Sequence, residues 1–184
     1  MEIIPLPSGK TDIASHMSIT ESLLSRLWIE MRYEDFITPS EIHHIQQASE
    51  SHACLEVSDK QHYVNDAENG VLKLYRWDKL LGYIFAHSWT IHGIDYHERG
   101  SLWVDKSLYG KWLWKYLMAQ MTEKLEWENI LSVTSNTIVQ NVNELLMDYE
   151  ILNPNYKLRE MVEARWEMKP DYRYFTNERL MRLL

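Results

Sequence analysis

The sequence is short of several residue types that usually organise a first reading. It holds one cysteine, Cys54, six glycines, five prolines and three phenylalanines in 184 residues. One cysteine excludes an internal disulfide framework and fits a reducing compartment, so a cytoplasmic setting is expected. Basic residues are outnumbered, 19 Lys and Arg against 27 Asp and Glu, for a formal net charge of −8. That excludes nucleic-acid binding through a generally basic face. No apolar run approaches the roughly 20 residues of a membrane span, so no membrane role is expected. The opening stretch, MEIIPLPSGK, has neither the basic start nor the apolar stretch of a secretory signal.

What is present is a core-forming composition. The chain is 45% hydrophobic, and its length suits one domain. Eight tryptophans and eleven tyrosines are many for this length; aromatics of this kind fill cores and interfaces alike. Local basic groups remain despite the net charge. Lys106, Lys111 and Lys115 form one, and Arg159, Arg165, Arg173, Arg179 and Arg182 another. No internal repeat or low-complexity segment is present.

Periodicity gives a coarse order. Residues 18–34 read as a helix with Leu23, Leu24, Leu27, Trp28 and Met31 on one stripe, capped by Ser18 or Thr20. TPSEIHHIQQASESH reads as a second helix with Pro39 in its first turn and Ser40 as cap. GVLKLYRWDKLLGYIFAHSW reads as a hairpin turning near Asp78-Lys79, followed by a polar loop over 90–100 and a strand at SLWV. From Gly110 to about Glu128 the pattern is helical, with Leu113, Leu117, Met121 and Leu125 on one face. A strand at NILSVTSN, a helix at NVNELLMDYEIL, a strand at VEARWEMK and an amphipathic tail helix complete the order. Alternating helices and strands with an early hairpin argue for an α/β sheet covered by helices.

This order, with LLGYIFAH, the L-x-V run Leu102-Trp103-Val104, ILSVTSN, NVNELLMDYEIL and EARWEMK, resembles the Gcn5-related N-acetyltransferase (GNAT) superfamily over residues 18–169. The stretch from Tyr96 to Gly110 is also similar to acetyltransferase-like proteins of bacteriophages, which would place the chain in a host cytoplasm or a virion. The resemblance implies a single domain over 1–169, of α/β (α+β) class, with a mixed, mostly antiparallel central sheet flanked by helices. Residues 170–184 would be a C-terminal extension ending in a helix, docked on its own sheet or serving a protein partner or homo-oligomer contact.

In the family a loop [Q/R]-x-x-G-x-[G/A] joins the L-x-V strand to the next helix and presents backbone N–H groups to the pyrophosphate of acetyl-CoA. Laid on this chain, the pattern puts Tyr109 at the Gln/Arg position and Trp112 and Trp114 at the two small positions, with Gly110 and Lys111 between. All three defining positions depart from the pattern, and an indole has no place against a phosphate unless it swings away. The implied cofactor is acetyl-CoA. Leu102 and Val104 would bind its pantetheine arm through their backbone. Gly110, Lys111, Trp112, Leu113, Trp114 and Lys115 would face its phosphates. The acceptor would be an amine, on a small molecule or a protein.

For the chemistry, the family's late helix carries a tyrosine that protonates the departing thiolate. Aligned on Asn141, that position falls on Asp148, and Tyr149 stands one residue, about 100° of helix, away. Tyr149 is the candidate acid. Glu98, ahead of His97, His92 and His87, is the candidate base for the amine; its bland alternative is a solvated loop glutamate. No metal site is expected. His43 and His44 diverge on a helix, and His52, His62, His87 and His92 lack a matching ligand pattern. Cys54 has no sequence partner that would activate it. The competing reading is a non-catalytic protein of this fold that acts by binding, as a phage-encoded inhibitor or an assembly component.

Overall fold

The structure is a computed structural model that describes residues 1–6, 10–50, 58–164 and 170–184. Cys54, His52, Arg165 and most of the run read as the last family strand, EARWEMK, lie outside these residues. The elements run β1 (Glu2–Pro5), α1 (Lys10–Arg26), β2 (Glu30–Glu34), α2 (Pro39–Glu50), α3 (Lys60–Ala67), β3 (Val71–Arg76), β4 (Lys79–Ile91) and β5 (Ile94–Val104). A 3-10 turn (Lys106–Leu108) follows, then α4 (Leu113–Lys124), β6 (Ile130–Thr134), α5 (Thr137–Leu146), β7 (Tyr149–Asn153), α6 (Tyr156–Glu163), β8 (Arg173–Thr176) and α7 (Glu178–Met181). The strands order as β1-β7-β8-β6-β5-β4-β3-β2. Only β5 with β6 is parallel among the pairings in register; β1–β7, β7–β8, β6–β8, β2–β3 and β3–β4 are antiparallel. The expected α/β class with a mostly antiparallel sheet and flanking helices therefore holds.

The chain divides into two compact units, and strands β4 and β5 pass from one to the other. One unit comprises His16–His87 and Arg99–Met121. Its core gathers Ile42 and Ile45 of α2, Tyr63 of α3, Val71 of β3, and Tyr83 and Phe85 of β4, with Trp103 of β5 packed against it. Helix α2 starts with a capping box. Glu41 Oε2 accepts from Thr38 N at 2.7 Å and Thr38 Oγ1 from Glu41 N at 3.3 Å, so Thr38 is the cap in place of Ser40. The buried Lys73 ammonium meets Glu34 at 2.6 Å and Glu41 at 3.0 Å, a pairing that such burial requires.

The other unit comprises Met1–Ser15, Ser88–Glu98 and Thr122–Leu184. Its core holds Tyr96, Leu131, Ile151, Leu158, Tyr174 and Leu180. Tyr96 hydroxyl donates to the Met161 carbonyl at 3.0 Å, so the one polar atom of a buried ring is satisfied. Asn177 ties α7 to β6: its side-chain oxygen accepts from Ile130 N at 3.1 Å and Leu180 N at 3.2 Å.

Several elements differ from the periodicity reading. The helix read over 18–34 stops at Arg26, and residues 30–34 form β2. Trp28 at φ 55° ends it in a left-handed turn, with Ile29 N donating to Leu24 O at 2.9 Å. Such a stop is usually marked by glycine, which is why the pattern ran on. The polar loop over 90–100 is strand; His92 and Gly93, at φ 54° and 70°, turn β4 tightly into β5. Residues 162 and 163, read as strand, belong to α6. Residues 173–176, read as part of an extension, form β8 between β7 and β6.

Candidate functional site

The strand–loop–helix around residues 101–115 lies within one unit. After Val104, Asp105 N donates to Leu81 O at 2.8 Å, and the Asp105 carboxylate accepts from Ser107 N at 2.9 Å. A hydrogen bond from the Ser107 side chain holds the Asp105 carboxyl below the usual carboxylate range, with help from the Ser107 N–H and Lys79. Leu108 is buried and pins the 3-10 turn. Gly110 then takes φ 75° in open space, with nothing within 4 Å of where a Cβ would stand. Trp112 takes φ 61° and its carbonyl accepts from Lys115 N at 3.0 Å and Tyr116 N at 3.2 Å, opening α4. Thus Trp112 holds a backbone conformation that favours glycine.

Helix α4 is seated by Leu113, Leu117 and Met121, all fully buried, one turn apart on one face. Arg99 of β5 donates to the Met118 carbonyl at 3.2 Å; burial pushes its pKa down to about 10. The first N–H groups of α4 have no partner within the helix, and the helix dipole adds partial positive charge there. Lys115 Nζ stands 3.9 Å from the Trp112 ring centroid and 5.5 Å from that of Trp114. Partial burial holds its pKa below the ordinary lysine value. Neither Lys111 nor Lys115 pairs with a carboxylate among the described residues. The Trp112 indole is 58% exposed, and Trp114 is half-buried. The loop therefore offers backbone donors and an ammonium that rests on the exposed Trp112 ring with no carboxylate partner among the described residues.

Of the other residues named from sequence, Leu102 is half-buried and Val104 buried, both on β5. Glu98 is buried inside β5, where His97 and Glu98 pair with Ile130 and Leu131 of β6. It borders Leu131, Val133, Met161 and Val162, so it is not a solvated loop residue. Tyr149 does not lie on a helix. Asn136 caps α5, its side chain accepting from Ile138 N at 2.9 Å, so Asn141 is mid-helix. Tyr149 falls in β7, opposite Pro5 and Thr176. His97 Nδ1 meets Ser88 Oγ at 2.8 Å, and burial lowers its pKa. His92 pairs with Glu160. Among the described residues no group of three or more His, Cys, Asp or Glu is placed to hold a metal, and no helix is long and apolar enough to cross a membrane.

Sequence reasoning missed Asp66 and Ser101. Asp66 Oδ1 lies 2.9 Å from Nδ1 of the buried His87, and His87 Nε2 lies 3.2 Å from Ser101 Oγ. No spacing in the sequence marks these residues, which come from α3, β4 and β5.

No family model matches the sequence, and neither does any curated protein. Solved structures do match. Escherichia coli ElaA superposes with a TM-score of 0.57 at 14% identity, covering 82% of this chain and 99% of that one. The ribosomal-protein-S18-alanine N-acetyltransferase of Escherichia coli gives 0.54 at 12% identity, over 80% and 93%. Arabidopsis thaliana Naa50, solved with the bisubstrate analogue CoA-Ac-MVNAL, gives 0.53 at 10% identity, over 81% and 97%. At these identities the likeness is one of fold, and the fold is that of the GNAT acetyltransferases.

Proposed function

We propose that the protein is an acetyl-CoA-dependent N-acetyltransferase acting on an amine of a small molecule or a protein. The observation that carries this reading is the loop before α4. Gly110 and Trp112 are both left-handed, the space at Gly110 is open, the helix N-terminus follows, and the Lys115 ammonium rests on the Trp112 ring at the loop. These features fit a pyrophosphate. Gly110, Lys111, Leu113 and Lys115 would hold it, and the exposed indole of Trp112 would lie aside. The backbone of Leu102 and Val104 would hold the pantetheine arm. Acetyl-CoA supplies an acetyl group on a thioester; the chain orients it and handles the proton of the incoming amine.

Thermal unfolding with and without acetyl-CoA tests the reading. At 100 times the dissociation constant, a ligand that binds only the folded chain adds roughly 2.7 kcal/mol. No shift at millimolar acetyl-CoA would overturn it. A second reading, a non-catalytic binding protein of this fold, is favoured by the exposure of Tyr109 and Trp112 at the loop. It expects those rings to face a protein partner, with no response to acetyl-CoA.

A further inference from the structure

We propose that His62, Asp66, His87 and Ser101 form a proton relay that draws a proton from the acceptor amine at β5 and releases it to solvent at α3. The inference rests on the acetyltransferase reading for its substrate, and on geometry for the relay itself. His62 Nε2 lies 3.1 Å from Asp66 Oδ2, Asp66 Oδ1 lies 2.9 Å from His87 Nδ1, and His87 Nε2 lies 3.2 Å from Ser101 Oγ. His62 is partly exposed, Asp66 and His87 are buried, and Ser101 is half-buried. The chain thus runs from solvent, through the interior of one unit, to a serine directly before the Leu102–Val104 run. Facing the His87 ring are Asp66 of α3, Gly100 and Ser101 of β5, and Phe85 of its own strand. Of these only Asp66 carries a charge.

Two details separate this from ordinary packing. Ser101 adopts φ 51° within a strand, a conformation that L-residues seldom hold and that redirects its side chain. A Cβ on Gly100 would stand 3.1 Å from His87 Cδ2, so glycine there admits the ring. Neither His87 Nδ1 nor Asp66 Oδ2 has a well-aligned hydrogen bond; contacts of this kind often tighten only when substrate binds. Transfer from acetyl-CoA to an ammonium forms one N–C bond, breaks one C–S bond, leaves the thiol and releases one proton. In the relay the amine proton passes to Ser101 Oγ as the serine proton passes to His87 Nε2. The imidazolium so formed gives its Nδ1 proton to Asp66 Oδ1; the carboxyl group turns, passes that proton to His62 Nε2, and His62 releases it to solvent, leaving His87 neutral and Asp66 ionised.

The test uses Ser101→Ala, Asp66→Asn and His87→Gln in the full chain, read by histidine side-chain ¹⁵N NMR and by kinetics. The first two variants remove little volume, so folding is retained. The relay needs the His87 proton on Nδ1 with Nε2 open to Ser101, and the ¹⁵N resonances report that tautomer. Asp66→Asn should shift the Nδ1 resonance, and Ser101→Ala should shift the Nε2 resonance. Nδ1 and Nε2 resonances unmoved in both variants overturn the relay, whatever acetyl-CoA does. In turnover, Ser101→Ala and His87→Gln should each lower kcat about 100-fold with KM for acetyl-CoA unchanged. Undiminished kcat in both Ser101→Ala and His87→Gln also overturns the relay. A wild type that binds no acetyl-CoA overturns the acetyltransferase reading alone, and the ¹⁵N resonances still decide the relay.

Discussion

The exposed loop at 109–115 and the buried chain from His62 to Ser101 lie in the same unit and depend on their surroundings in opposite ways. The loop is contiguous in sequence, and the backbone decides what it can do. Gly110 and Trp112 hold left-handed turns, and the exposed Trp112 ring lies under Lys115. The buried chain joins α3, β4 and β5, and side-chain placement decides what it can do. A bulky substitution is tolerated where solvent is adjacent, whereas the interior admits the His87 ring only because Gly100 lacks a Cβ.

The largest expected effect is in the interior. Asp66→Ala should cost roughly 2–3 kcal/mol of unfolding free energy by leaving buried His87 facing no carboxylate; urea titration measures it. Next, Gly100→Ala should cost about 2 kcal/mol by overpacking the ring. Its counterpart Gly110→Ala, in open space, should cost only about 1 kcal/mol for the left-handed backbone. Equal losses at the two glycines would erase the contrast between crowding and conformation. At the loop, Lys115→Ala should weaken acetyl-CoA about tenfold, roughly 1.4 kcal/mol, by removing a charge-assisted contact. Calorimetry at rising salt should show wild-type affinity falling more steeply than that of the variant. The smallest effect is Trp112→Gly. It relieves about 1–2 kcal/mol of left-handed strain and forfeits about 0.5–1 kcal/mol of cation–π contact, for a small net rise in melting temperature with acetyl-CoA affinity retained or improved.

The same contrast accounts for what was legible beforehand. The strand–loop–helix was legible because apolar spacing in α4 and the short L-x-V strand are local signals. The stop of α1 was not, since Trp28 takes a position where glycine would have signalled a turn; Trp77 at φ 58° and Trp112 repeat the substitution. In a chain with six glycines, tryptophan holds three left-handed positions among the described residues, and each of these tryptophans is more than half exposed. Trp28 and Trp77 stack on one another at 6.4 Å. Tyr149 was misplaced because Asn141, taken as the start of the late helix motif, is interior to α5. Glu98 was assigned to a loop because a polar run hid a strand whose inward positions are buried. Among the candidate bases, His87 was read without the partner that gives it a role, since Asp66 lies on another element.

By itself the sequence determined the class of fold, the place where strand turns to helix around Gly110, and the absence of a generally basic face. Each of these follows from composition or from residues a few positions apart, where chain stiffness and periodicity carry the information. The tertiary structure decided which turns tryptophan would hold, that residues 173–176 would enter the sheet between β7 and β6, and that His87 would lie between Asp66 and Ser101. Those residues are brought together only when their elements share a core. Burial then makes an unpaired polar atom costly enough to select its partner.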